Sequence, residues 1–224
     1  MEKGDSNMKK LLCMIMALIC VCGVAFAAVP SPTLGDLEDA SGSWVKPEFG
    51  DGKGMFVEPL NEFSPRFGLE EYQELMEVGD AELLKLQAAQ KVTDYFGEVI
   101  VASTGARVPL LELFDGVEPQ IYEFSPVIAG GYNLAYGHVV ATLLFATPYN
   151  PGDEVAVLIG IIEYSDVEGE EPTVTWYAFR GLCVSVPEVD GAEGIEVQFS
   201  PEMMQLLQDR DTLIAIASMA FDFE

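Results

Sequence analysis

The chain has a single histidine, His138, and that scarcity removes several chemistries at once. HExxH metal sites, histidine-rich zinc sites and Cys/His zinc fingers all need more than one imidazole. A Ser-His-Asp triad would have to use His138, which opens an apolar run in Gly137-His138-Val139, and no G-x-S-x-G motif accompanies it. Phosphate loops are also missing: Gly50, Gly52 and Gly54 lead into no strand-to-helix turn and lack the P-loop lysine pattern. Basic residues are scarce as well, 11 Lys and Arg against 37 Asp and Glu, for a formal net charge of −26. A surface so negative repels phosphate backbones and anionic lipids, which argues against nucleic acid as a partner.

Cysteine is almost confined to one place. Of the four, Cys13, Cys20 and Cys22 lie in the N-terminal run LLCMIMALICVCGVAFA, which follows Lys9 and Lys10 and ends on Ala25-Phe26-Ala27. A basic start, an apolar middle and an A-x-A end read as a secretory signal peptide over residues 1–27, with cleavage expected after Ala27. Met8 is the alternative start, because Glu2 and Asp5 fit poorly in a basic n-region. The apolar run is just long enough for a retained span, but the cleavage pattern favours removal, after which no membrane span is expected. No small residue precedes Cys20 or Cys22, so a lipid anchor is not expected, and no LPxTG-type signal is present. The exported chain would keep only Cys183, in Leu182-Cys183-Val184, where a buried inert thiol is expected.

Beyond Ala27 the chain divides into a tether and one domain. Residues 28–60 are rich in Pro, Gly, Ser and Asp and read as a tether, partly ordered because Trp44, Phe49, Met55 and Phe56 are too apolar for a solvated linker. Residues 61–224 read as a single globular domain, with a helical cover over 61–97 and a β-rich part over 98–224. The spacing predicts a helix over 69–78, a break at Gly79 and Asp80, and a better helix over 81–96, capped by Asp80 and ended by Gly97. Past Gly97 come short apolar runs separated by turns, at 98–102, 120–127, 138–147, 154–164, 173–180, 182–186, 195–199 and 212–219, with a short helix over 108–114. The run EVAVLIGII at 154–162 is apolar at odd and even positions, so both faces must be covered and the strand is central. Ser200-Pro201-Glu202 reads as the cap, first proline and acidic first turn of a helix, PEMMQLLQD. Many strands at close spacing predict a mainly β, immunoglobulin-like sandwich with an N-terminal helical cover; the alternative is an α+β domain with one sheet and helices on one face.

Carboxylates are the one chemically active group in abundance, and their very number makes any pair uninformative. The acids crowding turns are the candidates for a hard cation: Asp166, Glu168, Glu170 and Glu171 as a weak calcium site, with Asp190 and Glu193, and Asp36, Glu38 and Asp39, as lesser clusters. None matches the EF-hand loop. Trp176, Tyr177 and Phe179 put aromatic rings on both faces of one strand and are expected in the core.

The series TPYNPGDEVAVLIGI (147–161), TWYAF (175–179), GIEVQFSPEMMQLLQ (194–208) and TLIAIAS (212–218) resembles a module of secreted proteins from gut-dwelling Gram-positive anaerobes. The resemblance covers the second half of the chain, implies an immunoglobulin-like or related β-sandwich, and carries no functional residues over. The expected function is a non-enzymatic, secreted interaction or adhesion module, with host or cell-wall glycoprotein as the expected partner and no cofactor beyond the candidate calcium. The alternatives are a secreted hydrolase using paired carboxylates and an accessory or inhibitor subunit.

Overall fold

The computed structural model describes residues 44–146, 149–165, 167, 170–187, 189 and 191–218. The expected signal peptide with Cys13, Cys20 and Cys22, the first part of the expected tether with Asp36, Glu38 and Asp39, and Asp166, Glu168 and Asp190 lie outside them. Among the described residues there are ten strands, β1 Trp44–Pro47, β2 Phe56–Pro59, β3 Glu98–Val101, β4 Arg107–Pro109, β5 Gln120–Gly130, β6 Val139–Phe145, β7 Glu154–Glu163, β8 Thr173–Val184, β9 Glu193–Phe199 and β10 Thr212–Ser218. Four described α-helices join them: α1 Gln73–Ala88, α2 Val92–Phe96, α3 Leu110–Leu113 and α4 Pro201–Asp209. The chain is mainly β, as its sequence predicts. The strands expected as an immunoglobulin-like sandwich run in one continuous ladder, in the order β1-β6-β9-β8-β7-β10-β5-β2, with β3 and β4 attached beside β8.

The doubly apolar run is indeed central. β7 lies between β8 and β10, with Ile159 opposite Tyr177 on one side and Ile214 on the other. Its odd residues Val157 and Ile159 enter one core with Ile214, Ile216 and Phe199. Its even residues Leu158 and Ile162 enter a second core with Trp176, Leu213 and Ala215. Complete burial of each such side chain stabilises by about 1.5–3 kcal/mol, so a shift of one residue in register would exchange two fully apolar faces without exposing either. The turns and the helices, rather than the alternation of β7 itself, must hold its register.

The sheet curls on itself, and the segment read as a tether is the reason. β1 pairs with β6 at one end of the ladder and β2 with β5 at the other. A flat ladder of eight strands would hold those ends about 34 Å apart. The connection 48–55 is turned back by the Met55 N–H bond to the Gly52 carbonyl (2.9 Å) and by Gly50, Gly52 and Gly54 at positive φ, so it reaches far less. The Asn61 side chain then donates to the Leu144 carbonyl of β6 at 2.8 Å, tying the chain just past β2 to the opposite end of the ladder. Residues 44–60, read as part of a tether, thus supply the two edge strands of the sheet. Both strands are four residues long and end in proline, which is tolerated at an edge and hides their alternation from a sequence reading.

α4 lies inside the curl and buries Met203, Met204 and Leu207; its Ser200 cap accepts from the Met203 N–H at 3.3 Å, as expected. The other three helices cover the outer face. α1 runs unbroken through Gly79 and Asp80, against the expected break and restart. Gly79 is there for contact: a Cβ on it would lie 2.7 Å from Pro126 Cγ of β5. The helix instead ends at Ala88, after which Ala89 is extended, and α2 begins beyond Lys91. The start of α2 is capped from far along the chain, by the Glu118 carboxylate accepting from the Thr93 N–H (2.9 Å) and hydroxyl (2.8 Å). β8 likewise continues through Gly181, where two strands were expected, because a Cβ there would press on Val157 and Ile195. Among the described residues no helix is long and apolar enough to cross a membrane.

Candidate binding cleft

One side of β8 is shared by two strands. β3 runs parallel to its first half, with Ile100 opposite Tyr177 and Val101 opposite Ala178. β9 takes over only from Gly181, opposite Val197. β3 turns off at Ala102 through the Gly105 N–H bond to the Val101 carbonyl (2.7 Å), and β9 turns off through Phe199 into α4. Where they diverge, beside Phe179 and Arg180, a cleft of about 1160 Å³ opens.

Its floor is apolar. Tyr177 and Phe179 of β8 are half-buried there, with Val155 of β7 and Met203 and Leu206 of α4, while Leu113 at the end of α3 and Phe114 just past it form a wall. The Phe179 ring is braced by Phe199, centroids 5.2 Å apart and nearly perpendicular. The rim is charged, with Asp115, Glu154 and Glu202 against Arg180 and His138. Arg180 is paired with Glu154, and the guanidinium holds that carboxyl below its ordinary range. Glu202 is also held low, by its own N–H in the first turn of α4 and the Ser200 hydroxyl, with His138 adding to it. Asp115 is pinned at φ 51° just past α3, where the Gly116 N–H bonds the Leu111 carbonyl at 2.9 Å in a helix-terminating turn. Neither Glu202 nor Asp115 has an ion-pair partner among the described residues.

Two rim acids are therefore held ionised, and neither is poised to give up a proton at neutral pH. His138 is exposed and its Nδ1 lies 3.3 Å from Glu48 Oε2, while the Ser200 hydroxyl is committed to its helix cap. Cys183 is buried, and burial first, then the charges of Asp153 and Glu193, push its thiol up to about 11, which keeps it unreactive as expected.

Of the candidate calcium ligands, the described Glu170 and Glu171 do not line this cleft. Asp166 and Glu168 are outside the described residues; Glu170 accepts from the Ser165 hydroxyl at 2.6 Å, and Glu171 pairs with Lys85 of α1 at 2.8 Å. Among the described residues no three His, Cys, Asp or Glu side chains gather as a metal site. The aromatic strand divides as its alternation allows. Trp176 is core, packed edge-on against Phe96 with centroids 4.7 Å apart, whereas Tyr177 and Phe179 pack against the opposite core, as expected, but only partly buried, and their open side floors the cleft. The contributions of Glu202, Leu206 and Asp115 carry no signal in the sequence, since they depend on three elements meeting. No family model, curated protein or solved structure matches this chain.

Proposed function

We propose that this chain is a non-catalytic, secreted binding module, of the kind its second half resembles, and that it engages its partner through the cleft between β3, β8 and β9. The observation that carries this reading is the half-buried floor of Tyr177, Phe179 and Leu206, apolar surface held open in a cleft larger than a packed core would leave. The partner expected for an exported module is a host or cell-wall glycoprotein. The hydrolase reading is weakened by the same rim, because glycoside hydrolysis with two carboxyls needs one held protonated and both Glu154 and Glu202 are shifted the other way.

The test is capture of surface glycoproteins by the immobilised secreted chain and by Leu206→Asp, with thermal unfolding confirming that the variant is folded. Saturable capture by the parent and its loss in the variant support the reading. Equal capture by both would place the interaction elsewhere, and turnover of glycan or peptide substrates would replace binding with catalysis.

A further inference from the structure

Resting on the cleft as the binding site, we infer that its ligand is a peptide segment of a partner protein that carries basic side chains beside bulky apolar ones. Three observations specify that chemistry. The floor offers two aromatic rings and Leu206, which suits one or two large apolar side chains and the stem of a lysine or arginine. The charge balance of the rim is acidic. Arg180 is paired with Glu154 and His138 lies beside Glu48 as well as near Glu202, which leaves Glu202 on α4 and Asp115 beyond α3 as two carboxylates on different elements with no salt bridge among the described residues. The whole chain, at −26, draws cations toward that rim and repels acidic or phosphorylated segments.

The third observation separates a peptide from a small apolar cation. At about 1160 Å³ the cleft exceeds what a single drug-sized molecule fills, the usual range being about 300–1,000 Å³. The Tyr177 hydroxyl and the Gln198 amide line it without a hydrogen bond to any described residue, so donors and acceptors are ready for main-chain amides. A neutral sugar gains nothing from the charge of these two exposed carboxylates, whereas a lysine or arginine side chain does.

The experiment is titration calorimetry of the secreted chain with acetyl-(Phe-Lys)3-amide, acetyl-(Phe-Gln)3-amide and acetyl-(Phe-Glu)3-amide. The lysine peptide is expected to bind about five- to tenfold more tightly than the glutamine peptide at low salt, as two partly exposed ion pairs allow. The glutamate peptide is expected to bind weakest. The double variant Asp115→Asn/Glu202→Gln should erase the lysine preference, whereas Glu62→Gln/Glu77→Gln, the same charge loss on exposed acids elsewhere, should leave it. Asparagine tolerates the positive φ of Asp115, so the first variant should fold. Equal binding of the lysine and glutamine peptides would overturn the inference and leave the binding-module reading standing. Equal loss in both double variants would also overturn it, because the preference would then belong to the whole surface. Failure of all three peptides to bind, together with failure to capture glycoproteins, would remove both.

Discussion

Gly79→Ala sets two contributions against each other, and the structure decides the sign. In the interior of an exposed helix the change would stabilise by about 1 kcal/mol, because alanine is the better helix former. In α1 the new Cβ would meet Pro126 at 2.7 Å from Cγ and 2.9 Å from Cδ, closer than real Cβ atoms come. A proline ring in a paired strand cannot swing aside as the end of a lysine can, so either α1 lifts from β5 or β5 deforms. Overpacking of this kind costs about 1–3 kcal/mol, which offsets or exceeds the propensity gain, so the expected net result is a loss of up to about 2 kcal/mol. For a domain of this size that lowers Tm by up to roughly 8 °C. Urea unfolding should show the midpoint falling with an unchanged slope. Pro126→Ala removes the obstructing ring, so the double variant should be more stable than the sum of the singles predicts, a coupling that locates the effect at this contact. Asp80→Ala serves as the control: Asp80 has the residue type of a cap but sits mid-helix and exposed, so its loss should change stability by less than about 0.5 kcal/mol. Stabilisation by Gly79→Ala, with no coupling to Pro126, would refute the packing of α1 on β5.

Four further outcomes rest on particular contacts. Glu118→Gln should cost about 0.5–1 kcal/mol through loss of the α2 cap. Desolvation alone would raise the Glu118 carboxyl, but the Thr93 N–H and hydroxyl and the nearby Lys91 together hold it below its ordinary value, so its contribution is full above about pH 4.3, declines as pH falls through the lowered folded value, and should be absent from the pH-stability curve of the variant. Arg66→Ala should cost about 3 kcal/mol or more in chemical unfolding, because Glu58 is completely buried and would keep only the Ser64 hydroxyl as a partner. Ellman's reagent at pH 8 should label Cys183 in the unfolded chain and leave the native chain unlabelled over the same period; rapid native labelling would contradict its burial. Calcium bound at the 166–171 turn should raise Tm on going from chelator to millimolar calcium, though only slightly because Glu171 is already held by Lys85, and an unchanged Tm would remove that candidate.

Local chemistry alone determined a good part of this protein. The double apolarity of 154–162 required a strand buried on both faces, and β7 is one, because no solvent-facing strand tolerates eight apolar residues in succession. Ser200-Pro201-Glu202 determined the start of α4, since a cap acts on N–H groups two or three residues away. Tertiary structure decided the rest. Gly79 and Gly181 look like breaks in any local reading and are contact points only because Pro126, Val157 and Ile195 arrive from other strands. The start of α2 depends on Glu118, 25 residues away. β1 and β2 are too short to declare themselves and gain their place from the ladder edges they meet. The cleft is the extreme case: Tyr177 and Trp176 are adjacent aromatics on one strand, and what makes one floor and the other core is that β3 and β9 part beside Phe179, a divergence that only long-range strand pairing can create.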